Sequence, residues 1–206
     1  MTKIKLCGMK RICDIEYVNE LSPDYMGFVF AKKSKRYVSP EAAKELRACL
    51  NPGIIPVGVF VDEAIERIRK LLDQNIIEAV QLHGEEDEQY IGELRMRSSC
   101  TIIKAFRVKD MEDIKKANHS SADYILLDSG AGSGKTFDWS VLKQVTRPYF
   151  LAGGINAQNV GQAIGELSPF GVDASSSLEM NGLKDKEKMT AFVNAVRFGK
   201  DKENYG

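Results

Sequence analysis

The sequence predicts a (β/α)8 barrel, which is a closed parallel sheet of eight strands ringed by helices. Short apolar runs recur along the chain, an amphipathic helical pattern follows each run, and no long linker interrupts the alternation. Continuous apolar runs are typical of strands buried on both faces. Eight such units in 206 residues give roughly 26 residues each, close to the smallest barrels. We therefore expect a single domain over residues 1–206.

Each predicted strand is rich in Val, Ile, Leu or Phe and ends in a polar or glycine-containing segment. The predicted strands are Ile4–Cys7, Met26–Phe30, Pro56–Val61, Ala79–Leu82, Ile102–Phe106, Tyr124–Leu127, Tyr149–Ala152 and Gly171–Ala174. A doubly wound open sheet is the alternative fold. The count of eight favours the barrel, and no G-x-G-x-x-G follows the first strand, where many open sheets have it.

Apolar residues spaced for one face of a helix follow each strand. The second helix has the start signal Ser39-Pro40, with proline at the first helical position. Asp62, Asp138 and Asn156 are predicted to cap the third, sixth and seventh helices, respectively. The polar tail 199–206 is expected to fray.

Composition and charge exclude several classes of protein. The 29 Lys and Arg residues balance the 29 Asp and Glu residues, so no net charge attracts nucleic acid or an anionic membrane. No run of 18 apolar residues occurs, and the first residues lack the apolar stretch of a signal peptide. The four Cys residues form no C-x-x-C pair, which argues against a structural zinc site. We expect a cytoplasmic protein with free thiols and no metal, membrane or nucleic-acid partner.

Polar residues stand where the predicted strands end. In a barrel, the loops at the carboxyl ends of the strands form the active site. The residues expected at this mouth include Cys7, Arg36, His83, Asp128 and Asp173. The sequence therefore predicts that ionisable groups from distant parts of the chain converge on one site.

Two adjacent strand ends are typical of a phosphate site. Gly153 and Gly154 follow the seventh strand, and glycines let the backbone approach an anion with its N–H groups free. Ser175, Ser176 and Ser177 follow the eighth strand and are predicted to form one turn of an extra helix. A phosphate between these two loops is a recurring feature of barrels. An ordinary tight turn followed by capping serines is the alternative interpretation.

The segment Ser129–Thr136 is similar to the nucleotide-binding motif G-x-x-x-x-G-K-[ST], but its first position is Ser instead of Gly. A nucleoside triphosphatase is therefore an alternative function that this motif supports poorly. We favour a flexible lid over residues 129–137, because its glycines permit closure over a bound substrate.

Cys7 and Asp128 form the candidate acid–base pair. A thiolate accepts a proton near neutrality when nearby positive charge stabilises it, and a partly buried carboxylic acid can donate one. A cysteine that simply fills space in the core is the alternative for Cys7. Arg36 is suited to bind a substrate carboxylate through two parallel hydrogen bonds, although basic runs are usually solvated loops. His83 has no second metal ligand beside it, so a role in substrate orientation or a turn at Gly84 is favoured.

Nine segments, taken in chain order, resemble one family of enzymes. They are Lys5–Lys10, Gly27–Phe30, Ser34–Val38, Val57–Val61, Val80–Gly84, Leu127-Asp128, Gly132–Trp139, Leu151–Ile155 and Val172-Asp173. The first is similar to the K-x-C-G opening of phosphoribosylanthranilate isomerase, a family of tryptophan biosynthesis. The ordered set, which spans nearly the whole chain, resembles this family throughout.

The resemblance implies a barrel that performs an Amadori rearrangement of N-(5-phosphoribosyl)anthranilate without a metal or organic cofactor. It implies that Asp128 is the general acid that opens the ribose ring and that Cys7 is the general base that removes the C2 proton. Arg36 would bind the anthranilate carboxylate, while His83 and Asp173 would line the site.

The resemblance also implies that Gly154 and the Ser175–Ser177 region hold the phosphate of the substrate. The family usually has S-G-V-E where this chain has Ser176-Ser177-Leu178-Glu179, and serine tolerates a positive φ poorly. The sugar isomerase of histidine biosynthesis, which has Asp where Cys7 stands, and a non-catalytic phosphate-ligand binder are the alternatives. We expect a monomer or a homodimer with a small phosphorylated substrate.

Overall fold

Eight parallel strands close into a barrel in the computed structural model, which describes residues 1–128 and 139–199. The strands are β1 (Lys3–Cys7), β2 (Tyr25–Val29), β3 (Ile55–Phe60), β4 (Ala79–Leu82), β5 (Thr101–Arg107), β6 (Tyr124–Asp128), β7 (Tyr149–Ala152) and β8 (Gly171–Ala174). Each strand pairs with the next along the chain, and β8 returns to pair with β1. The predicted (β/α)8 barrel is confirmed, and the open sheet is excluded because the first and last strands are hydrogen-bonded to each other.

Helices surround the barrel and bury their apolar faces against it. The α-helices of the described residues are α1 (Ile12–Leu21), α2 (Pro40–Ala48), α3 (Ile65–Asp73), α4 (Glu88–Arg97), α5 (Met111–His119), α6 (Val160–Leu167) and α7 (Lys186–Phe198). The start of α2 is as predicted, since the side chain of Ser39 accepts a hydrogen bond from the backbone N–H of Ala42. A small antiparallel hairpin of β9 (Glu179–Met180) and β10 (Leu183–Lys184), which the sequence analysis missed, precedes α7.

Two of the predicted caps are wrong because their side chains have other partners. Asp62 has a left-handed backbone, with φ of 49°, and its carboxylate accepts a hydrogen bond of 2.7 Å from the backbone N–H of Glu85. Helix α3 begins three residues later. The side-chain oxygen of Asn156 accepts from the backbone N–H groups of Gln158 and Asn159 within a turn, and α6 begins only after that turn.

The predicted sixth helix is a 3-10 helix over Trp139–Gln144, not an α-helix. Its apolar Leu142 is buried. The β-branched Val145 and Thr146 and the nearby Pro148 disfavour continuation as an α-helix. Asp138, the predicted cap, lies outside the described residues.

Three further predictions fall on chain outside the described residues. They are the lid 129–137, the nucleotide-motif segment that overlaps it, and the part of the tail that follows Gly199. Within residues 1–128 and 139–199, no helix is long and apolar enough to cross a membrane.

Aromatic rings fill the amino end of the barrel interior. Tyr124 stacks on Phe170 with ring centroids 4.5 Å apart, and Tyr25 meets the edge of Phe150 at 5.3 Å. These side chains form one buried cluster with apolar residues of the middle layer, including Val57. The floor of the barrel is therefore apolar, and polar side chains are concentrated toward the carboxyl end.

Gly58 in β3 lies at a tightly packed point of the barrel wall. A Cβ at this position would lie 2.7 Å from a ring carbon of Phe60 and 2.8 Å from the Cδ1 of Ile77. Because Phe60 is itself stacked on Phe30, we expect Gly58→Ala to lower the free energy of unfolding by about 1–3 kcal/mol in urea titrations. The control Gly92→Ala, on an open face of α4, should raise it by about 0.5–1 kcal/mol. Equal stability of Gly58→Ala and wild type would contradict this account of the packing.

Candidate active site

One cavity at the carboxyl ends of the strands is lined by every residue predicted for the site. It has a volume of about 350 Å³, a size that suits a small ligand. The predicted residues around it are Cys7, Arg36, His83, Asp128, Gly153, Gly154, Asp173, Ser175, Ser176 and Ser177. Side chains that are up to 170 positions apart in the sequence therefore share one concave surface.

Cys7 ends β1 and is buried beside Gly27 of β2, which stands opposite it in the sheet. A Cβ at Gly27 would lie 2.6 Å from the Cys7 Sγ, so glycine leaves room for the thiol. Burial raises the pKa of this thiol, and the charges of Lys5 and Lys184 offset only part of that effect. The positive charge expected beside Cys7 is present, but the surrounding protein still favours the neutral thiol.

A buried ion pair lies one layer below Cys7. Lys5 is fully buried, and its Nζ donates a 3.0 Å hydrogen bond to the Oδ1 of Asp173. Burial opposes its charge, but Asp173 and Cys7 outweigh this effect and raise the pKa of Lys5. Lys5 was not among the predicted site residues, although strand alternation places it on the same interior face as Cys7.

Asp128 ends β6, where its register partners are Arg107 of β5 and Ala152 of β7. Cys7 lies three strands further around the barrel, so the two candidate acid–base groups reach the cavity from different sides. Among the described residues, no three His, Cys, Asp or Glu side chains are grouped so as to hold a metal ion.

His83 is exposed to the cavity, and the Nε2 of Gln81 lies 2.9 Å from its Nδ1. Desolvation by the surrounding protein lowers the pKa of His83, while the carboxylates of Asp128 and Asp173 oppose this shift. A neutral ring whose Nδ1 accepts a hydrogen bond from the Gln81 amide carries its proton on Nε2. His83 is thus a neutral hydrogen-bonding group at the mouth, and sequence reasoning did not find its partner Gln81.

A second buried ion pair supports the loop that carries His83. Lys104 of β5 donates hydrogen bonds to the Gly84 carbonyl at 2.6 Å and to the Glu86 carboxylate at 2.9 Å. Glu86 in turn accepts from the backbone N–H groups of Gly84 and Asp62. The turn expected at Gly84 is therefore held by charged groups that the sequence analysis did not single out.

Arg36 reaches the mouth from the loop after β2, but one edge of its guanidinium already binds a carboxylate. Its Nε and Nη2 donate to the two oxygens of Glu179 at 2.5 and 2.9 Å. Gly8, with φ of 87°, leaves the space that Arg36 occupies, since a Cβ there would lie 2.6 Å from the Arg36 Cδ. The predicted carboxylate-binding residue is thus held in a fixed plane by the protein itself.

The loops after β7 and β8 lie side by side. Gly153 and Gly154 have φ of 79° and 71°, a left-handed succession that favours glycine at both positions. The predicted extra turn is a 3-10 helix over Ser176–Leu178, and Ser177 does not have a positive φ. Its Oγ instead donates a 2.7 Å hydrogen bond to the Ile155 carbonyl, which joins the two loops. The strain considered for serine at this position does not arise.

A closed (β/α)8 barrel with ionisable groups around one cavity at its carboxyl end defines a class, the barrel enzymes. The family model "N-(5'phosphoribosyl)anthranilate (PRA) isomerase" matches residues 4–195. The chain belongs to this family of isomerases.

Individual relatives agree with this assignment over nearly their full length. The N-(5'-phosphoribosyl)anthranilate isomerase of Endomicrobium trichonymphae is 45% identical over 202 residues, which cover 96% of this chain and 99% of the relative. A crystal structure of phosphoribosyl anthranilate isomerase with reduced 1-(o-carboxyphenylamino)-1-deoxyribulose 5-phosphate is 37% identical, with a TM-score of 0.86 and coverage of 96% and 99%. Monomers derived from the dimeric isomerase of Thermotoga maritima give a TM-score of 0.85 at 37% identity and the same coverage.

The electrostatics of His83 can be checked by NMR titration. Because desolvation lowers its pKa, we expect a midpoint below the ordinary value of about 6.5. Asp128→Asn should lower the midpoint further, since the carboxylate opposes the shift. His119 on α5 supplies the second imidazole signal as an internal reference. A midpoint above 6.5, or one that rises in Asp128→Asn, would contradict the described environment.

Proposed function

We propose that this chain converts N-(5'-phosphoribosyl)anthranilate to 1-(2-carboxyphenylamino)-1-deoxyribulose 5-phosphate by an Amadori rearrangement in tryptophan biosynthesis. One observation carries the proposal: a single cavity is lined by the candidate acid–base pair Cys7 and Asp128, an arginine and two adjacent loops of glycine and serine. The reaction needs a proton donor, a proton acceptor, and groups for one carboxylate and one phosphate. Membership of the isomerase family supports the same conclusion.

In the first step, Asp128 donates a proton to the ribose ring oxygen. The anthranilate nitrogen lone pair then forms a C=N bond as the C1–O bond breaks, which opens the ring to a protonated Schiff base. His83, as a neutral donor beside Asp128, would orient the sugar hydroxyls. Asp173 would line the site below the sugar, where it also stabilises the charge of Lys5.

In the second step, Cys7 removes the C2 proton, and the electrons move through C1 to the nitrogen to give an enolamine. Tautomerisation yields the ketone, so C1 is reduced as C2 is oxidised and no external electron acceptor is required. A base with a raised pKa is less populated in its active form but stronger once formed. Lys5 and Lys184 supply the positive potential that helps the thiolate to form.

The two ends of the substrate would be held on different sides of the cavity. Arg36 would bind the anthranilate carboxylate, because a guanidinium forms charge-assisted hydrogen bonds with a carboxylate. Gly153, Gly154 and the Ser175–Ser177 turn would bind the phosphate with backbone N–H groups. The tether from Ser177 to the preceding loop supports this pairing of loops.

We further propose a cytoplasmic monomer or homodimer that binds neither nucleic acid nor membrane. The balanced charge and the lack of a membrane-spanning helix in the described ranges support this proposal. A dimeric relative from T. maritima makes a homodimer the state to test, by light scattering after gel filtration.

The acid–base assignment is tested with a fluorescence assay of the unstable anthranilate substrate, generated in situ. Cys7→Ala and Asp128→Asn should each lower kcat by about 100- to 10,000-fold, which is the usual contribution of a general acid or base. Cys49→Ala, which removes an exposed thiol, is the matched control and should keep wild-type turnover. Near-wild-type kcat in a folded Cys7 or Asp128 variant would disprove that residue's role.

The carboxylate-binding role predicts a different kinetic signature. Arg36→Ala should raise KM for the substrate by about tenfold or more while lowering kcat less, because the lost hydrogen bonds are to a charged group. Arg47→Ala, which removes an arginine paired with Glu78 far from the mouth, should leave KM unchanged. An unchanged KM in Arg36→Ala would rule out this site for the carboxylate.

A further inference from the structure

Arg36 belongs to a cluster of three charged residues beside the cavity. Glu179 accepts hydrogen bonds from Arg36 on both of its oxygens and from the Lys184 Nζ at 2.8 Å. The Glu179 and Lys184 side chains are only 12% and 2% exposed. Both come from the β9–β10 hairpin, and neither has a role in the chemistry proposed above beyond the charge of Lys184.

We propose that Glu179 and Lys184 are positioning residues for Arg36: Glu179 fixes the plane of its guanidinium, and Lys184 offsets the charge of Glu179, so that Arg36 still attracts the carboxylate of the substrate. The inference rests on the proposed function, because it assigns to Arg36 the anthranilate end of that substrate. Glu179 and Lys184 act through Arg36 and do not themselves touch the substrate.

Glu179 binds one edge of the Arg36 guanidinium and leaves the other edge open. A guanidinium offers a side edge formed by Nε and Nη2 and an end edge formed by Nη1 and Nη2. Glu179 takes the side edge, and the bidentate pair fixes the plane of the group. No group among the described residues binds Nη1. The end edge is thus left to an incoming carboxylate, while Gly8 leaves room for the Arg36 stem.

The cluster of Arg36, Glu179 and Lys184 contains two cations and one anion. Burial opposes the charge of Glu179, yet the hydrogen bonds from Arg36 and Lys184 lower its pKa, so it is ionised. Without Lys184, the negative charge of Glu179 would cancel the positive charge of Arg36. Lys184 adds a second cation to the same anion. Burial lowers the pKa of Lys184, but the hydrogen bond to Glu179 and the charge of Glu179 oppose this shift. With Lys184 protonated, the cluster keeps one net positive charge near the cavity.

Lys184 anchors the cluster to neighbouring parts of the barrel. The Nζ of Lys184 also donates to the Ser175 carbonyl at 2.8 Å, and the Ser175 Oγ donates to the Cys7 carbonyl at 3.0 Å. On the outer side, Arg11 donates to the Lys184 carbonyl at 2.7 Å. These contacts tie the hairpin to the ends of β1 and β8, so Arg36 is held at a fixed place relative to Cys7.

The decisive variant is Glu179→Gln, which keeps the shape of the side chain and removes its charge. We expect it to raise both the substrate KM and the Kd of anthranilate, measured by NMR titration, by about tenfold, with a much smaller change in kcat. The guanidinium loses the bidentate pair that fixes its plane, and this loss outweighs the attraction gained by removing a negative charge. The inhibition constant of inorganic phosphate should not change, because the Glu179 side chain pairs with Arg36 and Lys184 and not with the residues proposed to bind phosphate. Glu78→Gln, which breaks an exposed pair with Arg47, is the matched control and should change none of these values.

A double-mutant cycle separates positioning from a general structural role. If Glu179 acts through Arg36, then Glu179→Gln should have no further effect on KM or on the Kd of anthranilate in an Arg36→Met background. Lys184→Met provides an independent test and should also weaken anthranilate binding, because Glu179 would then neutralise Arg36.

Several outcomes would overturn the proposal. They are an unchanged KM and Kd in Glu179→Gln, a parallel loss of phosphate inhibition, an equal effect in the Arg36→Met background, or failure of both hairpin variants to fold. A wild-type protein that binds anthranilate without turning over the phosphoribosyl substrate would contradict the proposed function alone. The anthranilate Kd would then still decide the role of Glu179.

Discussion

The buried ion pair between Lys5 and Asp173 helps to set the register in which the barrel closes. It joins the first strand to the last at the seam of the barrel, where the two residues face each other in register. A slip of one residue would turn Lys5 outward into the apolar helix layer, at the cost of an unpaired buried charge. Closure in this register also brings Cys7 beside Ser175 and gives the thiol a neighbouring cation.

Above this pair, charged groups replace the apolar packing that fills the barrel floor. Two charged side chains near the mouth are paired with carboxylates from other parts of the chain, Lys104 with Glu86 and Arg36 with Glu179. Such ion pairs hold the loops in place where regular secondary structure does not, because it is costly to separate a buried charge from its partner. The result is a polar site whose side chains are fixed before any ligand arrives, which limits the reorganisation that binding requires.

Local sequence was sufficient to predict the eight barrel strands, all of which begin and end within one residue of their predicted bounds. Their apolar runs reflect burial on both faces of the sheet. This pattern lies within the residues of each strand, so it can be seen without knowledge of the rest of the fold. Helix starts were less predictable when a distant residue competed for the cap. Asp62 has the right chemistry for an N-cap, but its carboxylate binds the backbone of Glu85, on the next βα-loop.

Patterns along the chain were sufficient to predict the fold class, the family and the set of residues around the cavity, because strand ends in a barrel converge wherever they lie in the chain. The ion pairs and pKa shifts of those residues depend on partners that only folding brings together. Arg36 is paired with Glu179, and the charge of Lys184 acts on Cys7. Glu179 and Lys184 belong to a hairpin that no local sequence pattern predicted. Ion pairing and burial depend on distances in space, and residues more than 140 positions apart leave no local signal of such a contact.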